Sequence, residues 1–167
     1  MLLIETLAEP GAVPDDCLVL TYEFRCKNRL RTRLDSGEEV GLFLPRGTIL
    51  QDGQLLLASG GQVVQVQAAM EPIMEARSDN PLTLTQAAYH LGNRHVALQI
   101  QNESIRFLCD HVLGKMVRGL GLEVQEMRAP FEPERGAYGS HGSHAHGHPA
   151  DGEGQRARIH DMTRLRS

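Results

Sequence analysis

Tryptophan is absent from this chain of 167 residues, and aromatic residues make up only 4% of it. Leu, Val and Ile must therefore do most of the packing, and the apolar fraction of 41% suffices for folded cores. No apolar run approaches the ~20 residues of a membrane span, so no membrane partner is expected. No Lys or Arg precedes Arg25, so the positive start of a secretory signal is lacking and export is not expected. Cysteine is scarce as well: Cys17, Cys26 and Cys109 are odd in number and widely spaced. That excludes a disulfide framework and fits a reducing cytoplasmic setting. The formal net charge of -4 excludes a generally basic nucleic-acid binder. A Gly-rich phosphate loop, a His-Glu-x-x-His helix and a nucleophile elbow are all missing, so no enzyme signature is present.

What the chain does have is histidine, unevenly placed. Half of its eight histidines, His141, His144, His146 and His148, fall in one short stretch spaced by Gly, Ser and Ala. Neutral imidazole is the commonest ligand for Zn, Cu, Ni and Fe. A segment with such small spacers wraps a divalent ion more readily than it builds a core. The competing reading is a purification tag or a chance polar tail, but this run is interrupted and internal.

Three segments follow from patterning. Residues 1–70 read as all-β. Leu18 to Arg25 and Leu30 to Leu34 are strand-like runs, the second ending at the hairpin signal Asp35-Ser36-Gly37. Val40 to Leu44, Leu55 to Leu57 and Val63 to Gln67 follow, punctuated by Pro45, Gly47, Asp52-Gly53 and Gly60-Gly61. Short strands with regular breaks predict a small sheet sandwich. Residues 71–139 change character. Ile73 to Arg77 predicts a strand, and Pro81 introduces a helix with Thr83 at N-cap and Gln86 three positions on. Leu84, Ala87, Ala88 and Leu91 form one apolar face, and Gly92 is expected as the left-handed closing residue. Val96 to Ile100 and Ile105 to Leu108 predict two strands. A second helix starts at the N-cap Asp110 and ends at Gly121, and Leu122 to Met127 completes a β-α-β-β-α-β order, a ferredoxin-like split βαβ unit. Residues 140–167 lack apolar periodicity and read as a disordered His-rich tail. The expected class is α+β.

Single residues carry competing readings. His95, after the helix exit Gly92-Asn93-Arg94, is either a surface histidine or, across a two-fold axis, half of a shared metal site. His90 could assist it. In Cys109-Asp110-His111 the thiol and the imidazole point to the same side if the chain is still extended there, and diverge if the helix has begun. Arg25, Lys27, Arg29, Arg31 and Arg33 recur at every second position, which on a strand puts five charges on one face. That is a docking face for an acidic partner or for RNA, or simply a solvated face. RNA fits poorly, because the interleaved residues Cys26, Asn28, Leu30 and Thr32 offer no stacking aromatics.

Taken together, Tyr89-His-Leu-Gly-Asn-Arg-His95, Phe107-Leu-Cys-Asp-His-Val-Leu113, Ala129-Pro-Phe-Glu-Pro-Glu134 and Gly136-Ala-Tyr-Gly139 resemble the UreE family of urease accessory proteins, the nickel metallochaperones. Arg25, Lys27 and Leu44-Pro-Arg-Gly47, with Asp52-Gly53 after them, resemble its N-terminal domain. The resemblance implies a β-rich domain likened to a peptide-binding fold, then a ferredoxin-like metal-binding domain. It also implies a cytoplasmic homodimer in which His95 meets its mate and binds nickel, with His141, His144, His146 and His148 adding ligands. Some members carry His-x-His at the second helix start. Cys109 occupies the first of those positions here, so only His111 carries over. The implied role is non-catalytic: Ni(II) is carried as cargo and donated to the urease metallocentre, together with the GTPase UreG and the urease pre-activation complex. Zn(II) and Cu(II) are further candidates for the same ligands, and no nucleic acid is implied. The alternatives are a cytoplasmic nickel or zinc buffer without a dedicated client and, from the basic strand, an RNA-binding module.

Overall fold

Period-two alternation of apolar residues, cut at glycines, builds the first half of the chain. The computed structural model describes residues 1–135. Six strands form one mixed sheet: β1 (Leu2–Leu7), β2 (Asp16–Leu20), β3 (Arg29–Arg33), β4 (Glu39–Phe43), β5 (Leu55–Ala58) and β6 (Val63–Ala68), in the order β2-β6-β5-β1-β4-β3. The pairs β1–β4 and β2–β6 are parallel and the rest antiparallel. The anticipated turns are present, with Gly37 and Gly53 at φ 89° and 75°, a backbone region that glycine enters without steric cost. Ile4, Leu18, Val40, Leu42, Leu56, Val64 and Val66 meet in one apolar cluster. The expected pair of stacked sheets is corrected to a single sheet. β1 is a strand that the sequence reading did not set out.

The run Leu18 to Arg25 is also corrected. β2 ends at Leu20, and Tyr22–Arg25 forms a single helical turn, α1. The Tyr22 amide donates to the Glu71 carboxylate at 2.7 Å, and the Arg25 amide donates back to Thr21 at 2.9 Å. This turn takes Arg25 off the strand and inward. Its guanidinium is 1% exposed and donates to the carbonyls of Leu50 and Phe131 and to the Glu132 carboxylate. Tyr22 packs edge-on against Phe131, with ring centres 5.5 Å apart. The five-charge strand face is thereby corrected to three: Arg29, Arg31 and Arg33 line β3, while Lys27 lies in the connection before it.

The second half is a four-stranded antiparallel sheet, β10-β7-β9-β8, with two helices. Its elements are β7 (Met70–Arg77), α2 (Pro81–Gly92), β8 (Gln99–Ile100), β9 (Ser104–Leu108), α3 (His111–Gly119) and β10 (Glu123–Pro130). This is the predicted β-α-β-β-α-β order. Met74, Ala87, Leu91, Phe107 and Val117 join helices to sheet in one buried cluster. Helix α3 approaches the sheet closely because Gly114 has no side chain: a Cβ there would lie 2.7 Å from Met74 Sδ. Among the described residues no helix is long and apolar enough to cross a membrane.

Two boundaries differ from expectation. Asn80, not Thr83, caps α2, accepting from the Leu82 amide at 2.9 Å. Pro81 explains this. It is preorganised for the first helical position and lacks the N–H that would go unpaired there, so the residue before it becomes the cap. The strand expected over Val96 to Ile100 is reduced to Gln99–Ile100, although Val96 and Leu98 still pack against the helix–sheet core.

Two predictions follow from buried charge. Arg25→Ala leaves the Leu50 and Phe131 carbonyls without their donor in a dry site, and should cost about 3 kcal/mol. Urea denaturation of the variant reads this directly, and a loss below about 1 kcal/mol would contradict the role given to Arg25. Glu75, 4% exposed, accepts from Arg77 at 2.6 Å and Arg106 at 2.8 Å. The Arg77 hydrogen bond, the largest influence, holds its carboxyl below the usual range against burial, which pushes it up. A depressed folded value means the stabilisation is complete above the unfolded value of about 4.3 and is lost as pH falls through the folded one. The stability of Glu75→Gln should accordingly fall less than that of the parent on acidification below about pH 4, as measured by urea titrations at neutral and acid pH.

Candidate metal centre

Helix α2 ends in a way that singles out His95. The Val96 amide donates to Leu91 O at 3.2 Å and the His95 amide to Gly92 O at 2.9 Å. These are the paired 6→1 and 5→2 bonds of a Schellman motif, whose central residue is left-handed and usually glycine. The left-handed residue here is His95, at φ 56°, the one non-glycine residue with positive φ among those described. The expectation that Gly92 would close the helix in this conformation is corrected: Gly92 lies within α2 and has no positive φ. Helix α3 ends with the same pair of bonds around Gly121, at φ 94°. The fold thus uses the motif twice, once with glycine and once with histidine. A Cβ in the left-handed region costs roughly 1–2 kcal/mol. Contact of Val96 with the cluster that holds Leu91 offsets part of that cost. His95 itself is exposed, so packing of its ring does not explain the choice. Retained strain on an exposed imidazole is the kind of outlier from which a functional role is inferred.

A second group forms at the start of α3. Asp110 is extended, at φ -146° and ψ 113°, and its carboxylate caps the Val112 and Leu113 amides at 2.8 and 3.0 Å. The chain is therefore extended up to the helix, and Cys109 and His111 flank one cap. Their ligand atoms and a carboxylate oxygen of Glu126 on β10 all lie within 4.8 Å of one another. His111 Nδ1 and Glu126 Oε1 are 3.4 Å apart. Donors at ~2.0–2.3 Å from a shared ion stand no more than about 4.5 Å apart, so a small side-chain rotation closes the set around a divalent ion. All three lie at the surface, with room for solvent or further ligands. Metal binding would deprotonate the thiol. Glu126 was not anticipated. It is 15 positions from His111 in the chain, and only the packing of α3 beside β10 brings the two together.

His90 lies on α2, its ring 5.5 Å from that of Tyr89. Among the described residues neither it nor His95 belongs to a group of three convergent ligands. His141, His144, His146 and His148, together with the tail expected over 140–167, lie outside the described residues.

Comparison with known proteins adds to this geometry. Residues 71–160 match the family model for the UreE urease accessory protein, C-terminal domain, and residues 3–69 that for its N-terminal domain. The chain is 51% identical over 133 residues to the urease accessory protein UreE of Burkholderia lata, covering 80% of this chain and 63% of that relative. It is 56% identical over 137 residues to that of Alkalilimnicola ehrlichii, covering 80% and 84%, and 50% identical over 140 residues to that of Vibrio parahaemolyticus, covering 79% and 88%. The chain thus spans less than two thirds of the Burkholderia lata relative's length.

If strain rather than packing defines position 95, His95→Gly should be more stable than His95→Ala by about 1 kcal/mol, although both lack the imidazole. Thermal and urea unfolding of the two variants provide the check, and equal stability would remove the argument from strain.

Proposed function

The chain belongs to the UreE family of urease accessory proteins, and from that premise we propose that it binds Ni(II) and hands it over during assembly of the urease metallocentre. The observation that carries this reading is the exposed imidazole of His95 in a backbone conformation that glycine would adopt at less cost. One imidazole gives too few ligands for a tight site. In a two-fold dimer an isologous contact sets each His95 opposite its mate, and imidazoles of His141, His144, His146 and His148 complete the coordination. Such ligands exchange one at a time, so nickel passes to a partner without ever being free. The partners are the GTPase UreG and the urease pre-activation complex, and the setting is the cytoplasm. The role is that of a carrier, not a catalyst.

His111, Cys109 and Glu126 form an auxiliary site in this reading. Its thiolate favours the alternative of a nickel or zinc buffer, because thiolate ligands suit such borderline-soft ions. The Irving–Williams order places Cu(II) above Ni(II) at nitrogen sites as well, so selectivity for nickel would rest on supply and on the partner.

Urease activation in cells at limiting nickel separates carrier from buffer. His95→Gly and His95→Ala should both lower it, with recovery when nickel is plentiful, while Cys109→Ser and His111→Ala should have the smaller effect. Light scattering at micromolar concentration should show a dimer for the parent chain. Full activation by both His95 variants, or a monomer with and without nickel, would sink the shared-site mechanism.

A further inference from the structure

A left-handed residue that carries a side chain keeps its conformation only where the surroundings over-determine it. At His95, φ 56°, part of that constraint is the end of α2, which offers the carbonyls of Leu91 and Gly92 to the Val96 and His95 amides. Packing of Val96 on the helix–sheet core adds to it. Both act from the helix side. Rotation about the His95 backbone into the ordinary allowed regions would swing the residues after it onto a new course. The rest of the constraint therefore has to lie on the exit side of the turn.

That exit is strapped. Residues 131–134 leave β10 at one edge of the four-stranded sheet and reach β8 at the other. Phe131, fully buried, joins Ile73 and Ala129 in a cluster against which Ala97 packs. The Glu134 amide donates to the Leu98 carbonyl at 2.7 Å, and the Glu132 amide donates to the side-chain carbonyl of Gln99 at 3.2 Å. Ala97, Leu98 and Gln99 are thus each held, by packing, by a backbone carbonyl and by a side chain in turn. The strap itself is stiff. Pro130 and Pro133 disfavour helical backbone at Ala129 and Glu132, and Arg25 binds the Phe131 carbonyl and the Glu132 carboxylate.

The Gln99 contact is not explained by the sheet. Gln99 belongs to a strand of two residues that pairs with β9 through the backbone. Its side chain turns instead to an amide of the strap. What that acceptor adds is a link between the strap and the chain that comes out of the His95 turn.

We propose that Gln99 is a positioning residue for His95: with Leu98 it ties the exit of the left-handed turn to the strap over residues 131–134, and so keeps the imidazole in the orientation that the strained backbone gives it. A rotation that relieved the strain would have to break both strap bonds. Because Arg25 anchors the strap, a residue of the first half of the chain helps to hold a ligand of the second. The inference rests on the reading of His95 as a nickel ligand, which gives the fixed orientation its purpose.

The test compares amide exchange in the full parent chain, in Gln99→Met, which keeps the side-chain length but lacks the acceptor, and in Gln99→Glu, which keeps an acceptor oxygen. Without metal, exchange at His95 and Val96 should quicken about fivefold in Gln99→Met, the effect of one lost hydrogen bond on a local opening. It should return to the parent rate in Gln99→Glu. The amides of Gly121 and Leu122 make the same pair of bonds at the end of α3 and involve no strap residue, so their rates should not change. Saturating nickel should slow His95 and Val96 in all three chains, because an ion that binds the closed turn stabilises it. Unchanged exchange at His95 and Val96 in metal-free Gln99→Met overturns the strap and leaves nickel binding at His95 standing. Equal quickening at Gly121 and Leu122, or no return in Gln99→Glu, overturns it as well, because the loss would then be one of general stability. Exchange that nickel slows in none of the chains removes the nickel reading, and with it the ligand that the strap would position.

Discussion

The burial of one guanidinium ties the two sheets of this protein together. Arg25 comes from the helical turn after β2, and its hydrogen bonds reach Leu50 in the first half of the chain and Phe131 and Glu132 at the end of the last strand. A charge taken out of water in this way persists only if several acceptors surround it. The chain has to supply those acceptors together: the connection carrying Leu50, the end of β10 and the turn over Tyr22–Arg25 are all set by one side chain. Tyr22 and Phe131 then close an apolar seam around it with Ile73 and Ala129.

The two candidate ligand sets occupy opposite ends of the two helices, and different physics holds each. His95 sits past the C-terminus of α2, where backbone geometry determines its position and its own side chain determines nothing. His111 opens α3, where the Asp110 cap and the approach allowed by Gly114 settle the helix start against the sheet. The first arrangement leaves an imidazole free of other duties. The second makes ligand placement a by-product of stability, since Asp110 and Gly114 would be favoured there with or without a metal. The strain at His95 is for that reason the stronger pointer to function, although the three-residue cluster is the more complete set of ligands.

How much of this was legible in the sequence depends on how local each cause is. The hairpin at Gly37, the turn at Gly53, the cap at Asp110 and the βαββαβ order rest on residues within a few positions of one another, and all stand in the structure. Arg25 was misread because alternation with Arg29, Arg31 and Arg33 continues a strand pattern on paper. The break comes from Glu71 binding the Tyr22 amide and from acceptors 25 or more positions away. The end of α2 was misplaced because glycine is the usual left-handed residue and Gly92 stood in view, three residues before the histidine that takes that role. Thr83 had the better box spacing, but the proline between it and Asn80 outweighed that spacing. Glu126 offered no signal at all, because its place in the cluster depends on how α3 lies beside β10.

A carrier must hold its ion against the solvent and still release it, and the count of fixed ligands governs both. A three-ligand set of thiolate, imidazole and carboxylate, once closed around an ion, exchanges slowly, because the remaining two donors hold the ion while any one lets go. A single imidazole on a strained but well-defined turn contributes one strong bond and leaves the remaining positions to whatever approaches. Two such turns facing each other across a symmetry axis would bring two fixed nitrogens to one ion and leave the other positions open to a partner's ligands. The left-handed conformation at His95 suits that purpose. It orients the imidazole through the backbone, so no packing contact has to break when the ion leaves. On the proposed reading, the inexpensive glycine would be absent from position 95 because the position has to present a ligand, and the fold would accept the local strain as a consequence.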